Sequence, residues 1–168
     1  MTIAPRHRLA VEALALAGNE EVLEIGCGHG VAVRLMLERL TTGRVTALDR
    51  SEKMIAAVEK GSPGAGERLR TIAGALEDVD WGGETFDAIL AINVDLNLRL
   101  GDDWVPLLKR LLKPAGRIVF ALDRPPGSGK GDGFARLSQA RLEAEGFAVE
   151  VRRAEGGIIV VSARPGRR

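Results

Sequence analysis

The chain has 168 residues, a length that fits one domain built around a single core. Acidic and basic residues are interspersed and give a formal net charge of +1, so charge creates no bulk attraction for nucleic acid or a membrane surface. The single cysteine, Cys27, excludes an internal disulfide and a cysteine-bound metal. These features predict one domain over residues 1–168 in a reducing, cytoplasmic compartment, and carry no signal for an oligomeric state.

The N-terminal segment, residues 1–19, places basic residues ahead of the apolar run LAVEALALAG. This order resembles a signal peptide, but Glu12 interrupts the run, and cleavage near Gly18 would remove a helix directly before the first strand. No apolar run approaches the length of a membrane span. We therefore expect a helix that covers part of the domain.

The stretch VLEIGCGHG, residues 22–30, carries the most information. Val22–Ile25 has the aliphatic composition of a strand buried on both faces, and a helix is expected over about Val31–Leu40. Between them lie Gly26, Gly28 and Gly30, which permit positive φ and allow backbone amides to approach a ligand closely. The dinucleotide fingerprint GxGxxG would need glycine at Val31, so that register fails by one residue.

Two acidic residues lie at or near the ends of the first two predicted strands. Glu24 lies two residues before the first glycine, where it would repel a pyrophosphate and suit an amine-bearing ligand. The next strand, Arg44–Leu48, ends in Asp49. A carboxylate at the tip of the adjacent strand can accept both hydroxyls of a ribose. The pair predicts a nucleoside ligand that is not anionic near Glu24.

The remaining elements alternate between strands and helices. Ser51 is the expected N-cap of a helix that ends in the loop of residues 61–66. The further predicted elements are strands at Leu69–Ala73 and Phe86–Asn93, a helix from Asp102 to Lys113, a fifth strand up to about Phe120, a flexible loop at residues 124–133, a helix at Phe134–Glu145, and strands at Phe147–Arg153 and Gly157–Ala163. This order predicts an α/β fold with a parallel sheet, in which the last two strands form an antiparallel hairpin.

Three motifs together resemble those of the class I S-adenosylmethionine-dependent methyltransferases. They are VLEIGCGHG at residues 22–30, ALDRSEKMI at 47–55 and LLKPAGRIVF at 111–120. The resemblance implies a three-layer Rossmann-like fold whose seven-stranded, mostly parallel sheet ends in an antiparallel hairpin. It also implies methyl transfer from S-adenosylmethionine, with S-adenosylhomocysteine as product.

By this resemblance, Glu24 would bind the methionine amino group, Asp49 the ribose, and Arg50 and Met54 would lie beside the adenine. The family commonly has an acid after the third strand, where this chain has Ala75. Either Glu77 or Asp78 would replace it, or the backbone at Ala75 and Leu76 would bind the adenine. The full expected set is Glu24, Gly26, Cys27, Gly28, Gly30, Asp49, Arg50, Met54, Ala75, Leu76 and Asn93.

The residues expected near the methyl acceptor say less about the function. INVDLNLR, residues 92–99, lacks the two prolines of amino-methylating members, and Cys27 is misplaced for a cytosine C5 nucleophile. Asn93, Asp95 and Asn97 are expected to face the acceptor, with Asp95 as a general base or a polar loop residue. Asp95 with Asp123 could alternatively hold magnesium.

The scarcity of aromatic residues favours a small-molecule acceptor over nucleic acid. A nicotinamide-dependent oxidoreductase and a non-catalytic cofactor-binding subunit remain as alternatives.

Overall fold

Seven strands form one sheet in the order β3-β2-β1-β4-β5-β7-β6, in a computed structural model that describes residues 2–124 and 129–166. The strands are β1 (Glu21–Ile25), β2 (Arg44–Asp49), β3 (Leu69–Ala73), β4 (Phe86–Ile92), β5 (Leu112–Asp123), β6 (Phe147–Ala154) and β7 (Ile158–Pro165). Six run in the same direction, and β7 alone is antiparallel to its neighbours. The three-layer fold and the terminal hairpin predicted from the sequence are confirmed.

Helices cover both faces of this sheet. They are α1 (Pro5–Ala13), α2 (Val31–Arg39), α3 (Glu52–Gly61), α4 (Leu96–Leu100), α5 (Trp104–Leu111) and α6 (Lys130–Ala144), with short 3-10 turns at Gly66–Arg68, Leu76–Asp78 and Glu155–Gly157. One core packs α1, α2 and α3 against the sheet, and a second packs α4, α5 and α6 against the opposite face. No helix in residues 2–124 and 129–166 is long and apolar enough to cross a membrane.

The first strand lies near the middle of the sheet, between β2 and β4. Leu23 and Ile25 point into the core beneath α5 and α6, whereas Val22 points into the core beneath α1 and α2. Because strand side chains alternate between faces, Glu24 shares the α1 side of the sheet with Val22. The carboxyl ends of β1, β2 and β4 meet there, which is where open α/β sheets bind ligands.

Several boundaries differ from the sequence expectation. The helix expected from Asp102 to Lys113 is the shorter α5, and residues 112–116 belong to β5, where the register shifts from Phe86 opposite Leu112 to Ala88 opposite Arg117. The loop predicted over residues 124–133 is shorter than expected, because α6 begins at Lys130. Gly131 is buried against Ile159, and a Cβ there would lie 2.8 Å from that side chain, so close packing favours the early helical turn. Residues 125–128 of the predicted loop lie outside the described part of the chain.

Candidate functional site

The glycine turn after β1 is tied to the neighbouring strand. The amides of Gly26 and Cys27 both donate to the carbonyl of Leu48, at 2.8 and 3.0 Å. Gly26, Gly28 and Gly30 have φ values of +72°, +52° and +74°, so the predicted positive-φ turn is confirmed. A Cβ on Gly26 would lie 2.5 Å from the side chain of Val94, so this position also needs glycine for space.

Asp49 connects the second strand to this turn. One carboxylate oxygen accepts the Gly28 amide at 2.9 Å, and the other accepts the Ser51 amide at 2.9 Å. Ser51 also caps α3 by accepting from the Met54 amide. Each carboxylate oxygen has further acceptor capacity, so these bonds hold Asp49 in place at the strand tip and leave it able to accept from a ligand.

A cleft of about 260 Å³ lies beside the turn, lined by Arg6, His7, Glu24, Gly26, Cys27, Gly28, His29, Val31, Ile92 and Asn93. Five residues predicted from the sequence meet there: Glu24, Gly26, Cys27, Gly28 and Asn93. Asp49 adjoins them through its bond to the Gly28 amide. The structure therefore brings together the residues expected at the ends of β1, β2 and β4.

Glu24 is the most unusual group in the cleft. Its side chain is buried, with 2% of the residue exposed, and Oε2 has no hydrogen-bond partner within residues 2–124 and 129–166. Burial, with added repulsion from Asp49, raises the pKa of the Glu24 carboxyl to about 8. A buried, unsatisfied carboxyl is unfavourable for folding, and a cationic group would satisfy it.

Cys27 occupies the turn as an uncharged thiol. Burial and the negative charges of Glu24 and Asp49 raise the pKa of the Cys27 thiol to about 12. Thiolate is the nucleophilic form, so this environment suppresses cysteine reactivity at neutral pH. Cys27 therefore fills space in the turn.

One wall of the cleft comes from α1; from the sequence, His7 was expected to touch the pocket only if the first helix folds over it. Arg6 pairs with Asp123 at the end of β5, with Nη1 and Oδ2 2.8 Å apart. His7 faces the same cleft. In the sequence the only sign was a basic cluster ahead of a covering helix, and its contact with the cleft depends on how α1 docks.

The positions expected beside an adenine lie outside the cleft lining. Arg50 is exposed and Met54 half-buried in the first turn of α3. Ala75 has an extended backbone next to the tip of β3, where the Gly74 amide donates to the Asp49 carbonyl. Leu76 is 1% exposed within the core, so its side chain serves packing and only its backbone can bind a ligand.

The polar residues after β4 have mainly structural contacts. Asn93 has φ of +56°, and its Oδ1 accepts the Asp123 amide at 2.9 Å, which joins the tips of β4 and β5. Asp95 caps α4 by accepting the amides of Asn97 and Leu98. It is absent from the cleft lining among the residues described.

Asn97 does not face the acceptor side as expected. It is buried, donates to Ser138, and accepts from Trp104 Nε1 and Arg141 Nη1. All these contacts lie within the domain, so the side chain links α4 to α5 and α6. A buried amide satisfied in this way serves structure, which corrects the expectation that Asn97 lines the acceptor pocket.

Comparisons with known proteins agree with this geometry. A family model described as a methyltransferase domain matches residues 22–116, more than half of the chain. Trans-aconitate 2-methyltransferase of Acidovorax ebreus (strain TPSY) is 32% identical over 124 residues, covering 71% of this chain and 45% of that protein. Erythromycin 3''-O-methyltransferase of Saccharopolyspora erythraea is 29% identical over 137 residues, covering 77% and 44%. The chain spans less than half the length of these two relatives.

Solved structures show the same fold. The 1,6-didemethyltoxoflavin-N1-methyltransferase of Burkholderia thailandensis, crystallised with 1,6-didemethyltoxoflavin and S-adenosylhomocysteine, gives a TM-score of 0.76 at 23% identity. The superposition covers 97% of this chain and 79% of that one. Residues 22–116, which the family model matches, contain the glycine turn, Asp49 and the tip of β4. The chain belongs to the class I S-adenosylmethionine-dependent methyltransferase family.

Proposed function

We propose that this protein transfers a methyl group from S-adenosylmethionine to a small-molecule acceptor. When bound, that cofactor supplies an activated methyl group on a positively charged sulfur. The observation that carries the proposal is Glu24, a buried carboxyl whose Oε2 has no partner in the described part of the chain. The amino group of the cofactor's methionine portion would satisfy this oxygen.

The other residues near the turn fit the rest of the cofactor. Asp49 is held at the strand tip with free acceptor capacity for the ribose hydroxyls. Gly26 and Gly28 keep the turn free of side chains, so the cofactor can approach the backbone. Arg50, Met54 and the backbone at Ala75 and Leu76 would contact the adenine, and Asn93 would complete the site at the tip of β4.

The protein contributes mainly alignment and exclusion of water. Holding an acceptor in line with the reactive methyl group can lower the barrier by about 7–11 kcal/mol. Arg6 and His7 line the same cleft as Glu24, and with a cofactor bound they would limit the access of water to its floor.

The preference for a small acceptor rests on composition and on relatives. Only 4% of residues are aromatic and the net charge is +1, which gives little support for stacking or for phosphate binding. The names of the relatives include trans-aconitate and erythromycin methyltransferases. Another relative, from Nostoc punctiforme, is named a ribosomal RNA methyltransferase, so RNA belongs in the test.

Cofactor binding is measured first, by calorimetry with S-adenosylhomocysteine and separately with NAD. We expect S-adenosylhomocysteine to bind and NAD to give no heat. Glu24→Gln should weaken binding at least tenfold at pH 8, because the neutral amide loses the charge-assisted bond. Glu21→Gln, at the opposite end of β1, makes the same charge change and should bind like wild type.

Methyl transfer is then assayed with radiolabelled S-adenosylmethionine and cell extract separated into small molecules, protein and RNA. Label in the small-molecule fraction supports the proposal, whereas label in the protein or RNA fraction overturns the acceptor class. Binding without transfer to any fraction favours the non-catalytic subunit. Preferential NAD binding favours the oxidoreductase and overturns the proposed function.

A further inference from the structure

The cleft beside Glu24 contains one basic side chain that the proposed cofactor contacts do not use. His7 lies in the first turn of α1 and lines the cleft together with Glu24, Gly28 and Asn93. Its backbone amide donates to the Ala4 carbonyl. Because His7 lines the cleft, its imidazole can reach a polar group of a bound ligand.

The electrostatic surroundings keep His7 neutral. Burial is the main cause of a lowered His7 pKa, and the positive charges of Arg6 and Arg34 act in the same direction. A hydrogen bond with the Ala4 backbone and the negative charge of Asp123 act in the opposite direction and raise the His7 pKa, and Asp123 is itself paired with Arg6. The charged and titratable groups around His7 are Arg6 on α1, Arg34 and Glu38 on α2, Glu24 on β1, His29 in the glycine turn and Asp123 on β5.

The other candidate bases have competing roles. Asp95 accepts two amides as the cap of α4. Cys27 holds its proton because burial raises its pKa to about 12. Glu24 is assigned to the cofactor's amino group. Two imidazoles line the cleft; His29 is exposed in the glycine turn, so the half-buried His7 is the group best placed to take a proton near pH 7.

We propose that His7 accepts the proton of the acceptor during methyl transfer. This inference rests on the proposed function and specifies its substrate class, a neutral hydroxyl or amine. The acceptor's lone pair forms the new bond to the methyl carbon, and the electrons of the broken sulfur–carbon bond remain on sulfur, which becomes uncharged. The acceptor's proton passes to the His7 imidazole and then to solvent. An acceptor that arrives as a carboxylate would not need this step.

The position of His7 can be tested without knowing the acceptor. The chain has two histidines, so NMR of carbon-13-labelled histidine gives two titration curves, assigned with His7→Gln and His29→Gln. S-adenosylmethionine and S-adenosylhomocysteine differ by the methyl group and the positive charge on sulfur. If His7 lies beside the transferred methyl group, its pKa must be lower with S-adenosylmethionine, by about half a unit or more, because like charges disfavour protonation.

Transfer rates then test the chemical role, using the labelled small-molecule fraction as the acceptor source. At saturating S-adenosylmethionine, His7→Gln should lower the rate about 100-fold and remove the rise in rate with pH, while S-adenosylhomocysteine affinity stays within twofold of wild type at each pH. His7→Ala should recover part of the rate with added imidazole. Arg8→Gln, an exposed position on the same helix, is the matched control and should behave like wild type.

The results separate the two proposals. Equal His7 pKa values with the two cofactors, or a wild-type rate in His7→Gln, overturn the role of His7 and leave the proposed function standing. Failure of wild type to bind either cofactor overturns the proposed function itself. Retained S-adenosylhomocysteine affinity in His7→Gln shows that the variant is folded.

Discussion

Glu24→Gln should make the protein more stable and less able to bind its cofactor. The Glu24 carboxyl has an ordinary pKa of 4.5 and a folded-state pKa of about 8. Between these values the folded protein binds a proton that the unfolded chain has released, so stability falls as pH rises. The full interval corresponds to about 5 kcal/mol. Glutamine does not ionise, but its amide stays partly unsatisfied, so we expect a gain of about 2–4 kcal/mol at pH 7.5.

Cofactor binding should show the opposite dependence on pH. The bound amine needs ionised Glu24, which makes up about 1% of the free protein at pH 6 and about half at pH 8. Because the apparent affinity is proportional to the fraction of protein in which Glu24 is ionised, S-adenosylhomocysteine should bind about 50-fold tighter at pH 8 than at pH 6. Nearly one proton should be released per ligand at pH 6.

Thermal unfolding and calorimetry in buffers of different ionisation enthalpy measure both effects. A gain of 2–4 kcal/mol corresponds to a Tm increase of about 5–10 °C for a chain of this size. Glu21→Gln serves as the control for the change in net charge. The reasoning is refuted if Glu24→Gln is less stable than wild type at pH 7.5, or if wild-type affinity is the same at pH 6 and pH 8.

Three further substitutions test neighbouring parts of the site. Asp49→Asn should weaken S-adenosylhomocysteine binding about 10- to 100-fold by calorimetry, since the charged acceptor is lost; binding within twofold of wild type contradicts the ribose role. Gly28→Val should abolish binding while circular dichroism shows a folded protein, because φ is +52° there and the new side chain enters the cleft; normal binding would make the turn purely structural. Asp95→Ala should lower stability by about 1 kcal/mol in urea titration as the α4 cap is lost, with the S-adenosylhomocysteine dissociation constant unchanged. A lower transfer rate in the folded Asp95→Ala variant would restore Asp95 as a catalytic candidate.

The glycine turn and the hairpin were predictable because their signals are local. Gly26, Gly28 and Gly30 follow a buried strand directly, and only glycine adopts these φ values without strain. Gly156 and Gly157 likewise have positive φ between β6 and β7, which lets adjacent strands reverse direction. The position of Glu24 also follows from strand alternation, although its raised pKa depends on packing by distant elements.

The acceptor side was less predictable because its side chains depend on tertiary contacts. Asn97 has the same polar character as a pocket residue, yet α4 turns it toward Ser138 and Trp104. Asp95 looked like a loop acid because the five-residue helix it caps is too short for a clear periodic pattern. His7 reaches the cleft through packing of α1 on the sheet, which joins residues far apart in sequence.

The wall of the cleft that contains Arg6 and His7 is the N-terminal end of α1. The N-cap of α1 is Ala4, whose side chain accepts no backbone amide, whereas Ala10, Val11 and Leu14 are fully buried further along. Helix ends without caps open at lower free energy than segments anchored in a core. The floor of the cleft is built from strand tips, and the wall is built from the uncapped first turn of α1. Hydrogen exchange should therefore be faster at the amides of Arg6 and His7 than at the amide of Leu14, so the wall of the cleft should open more readily than its floor.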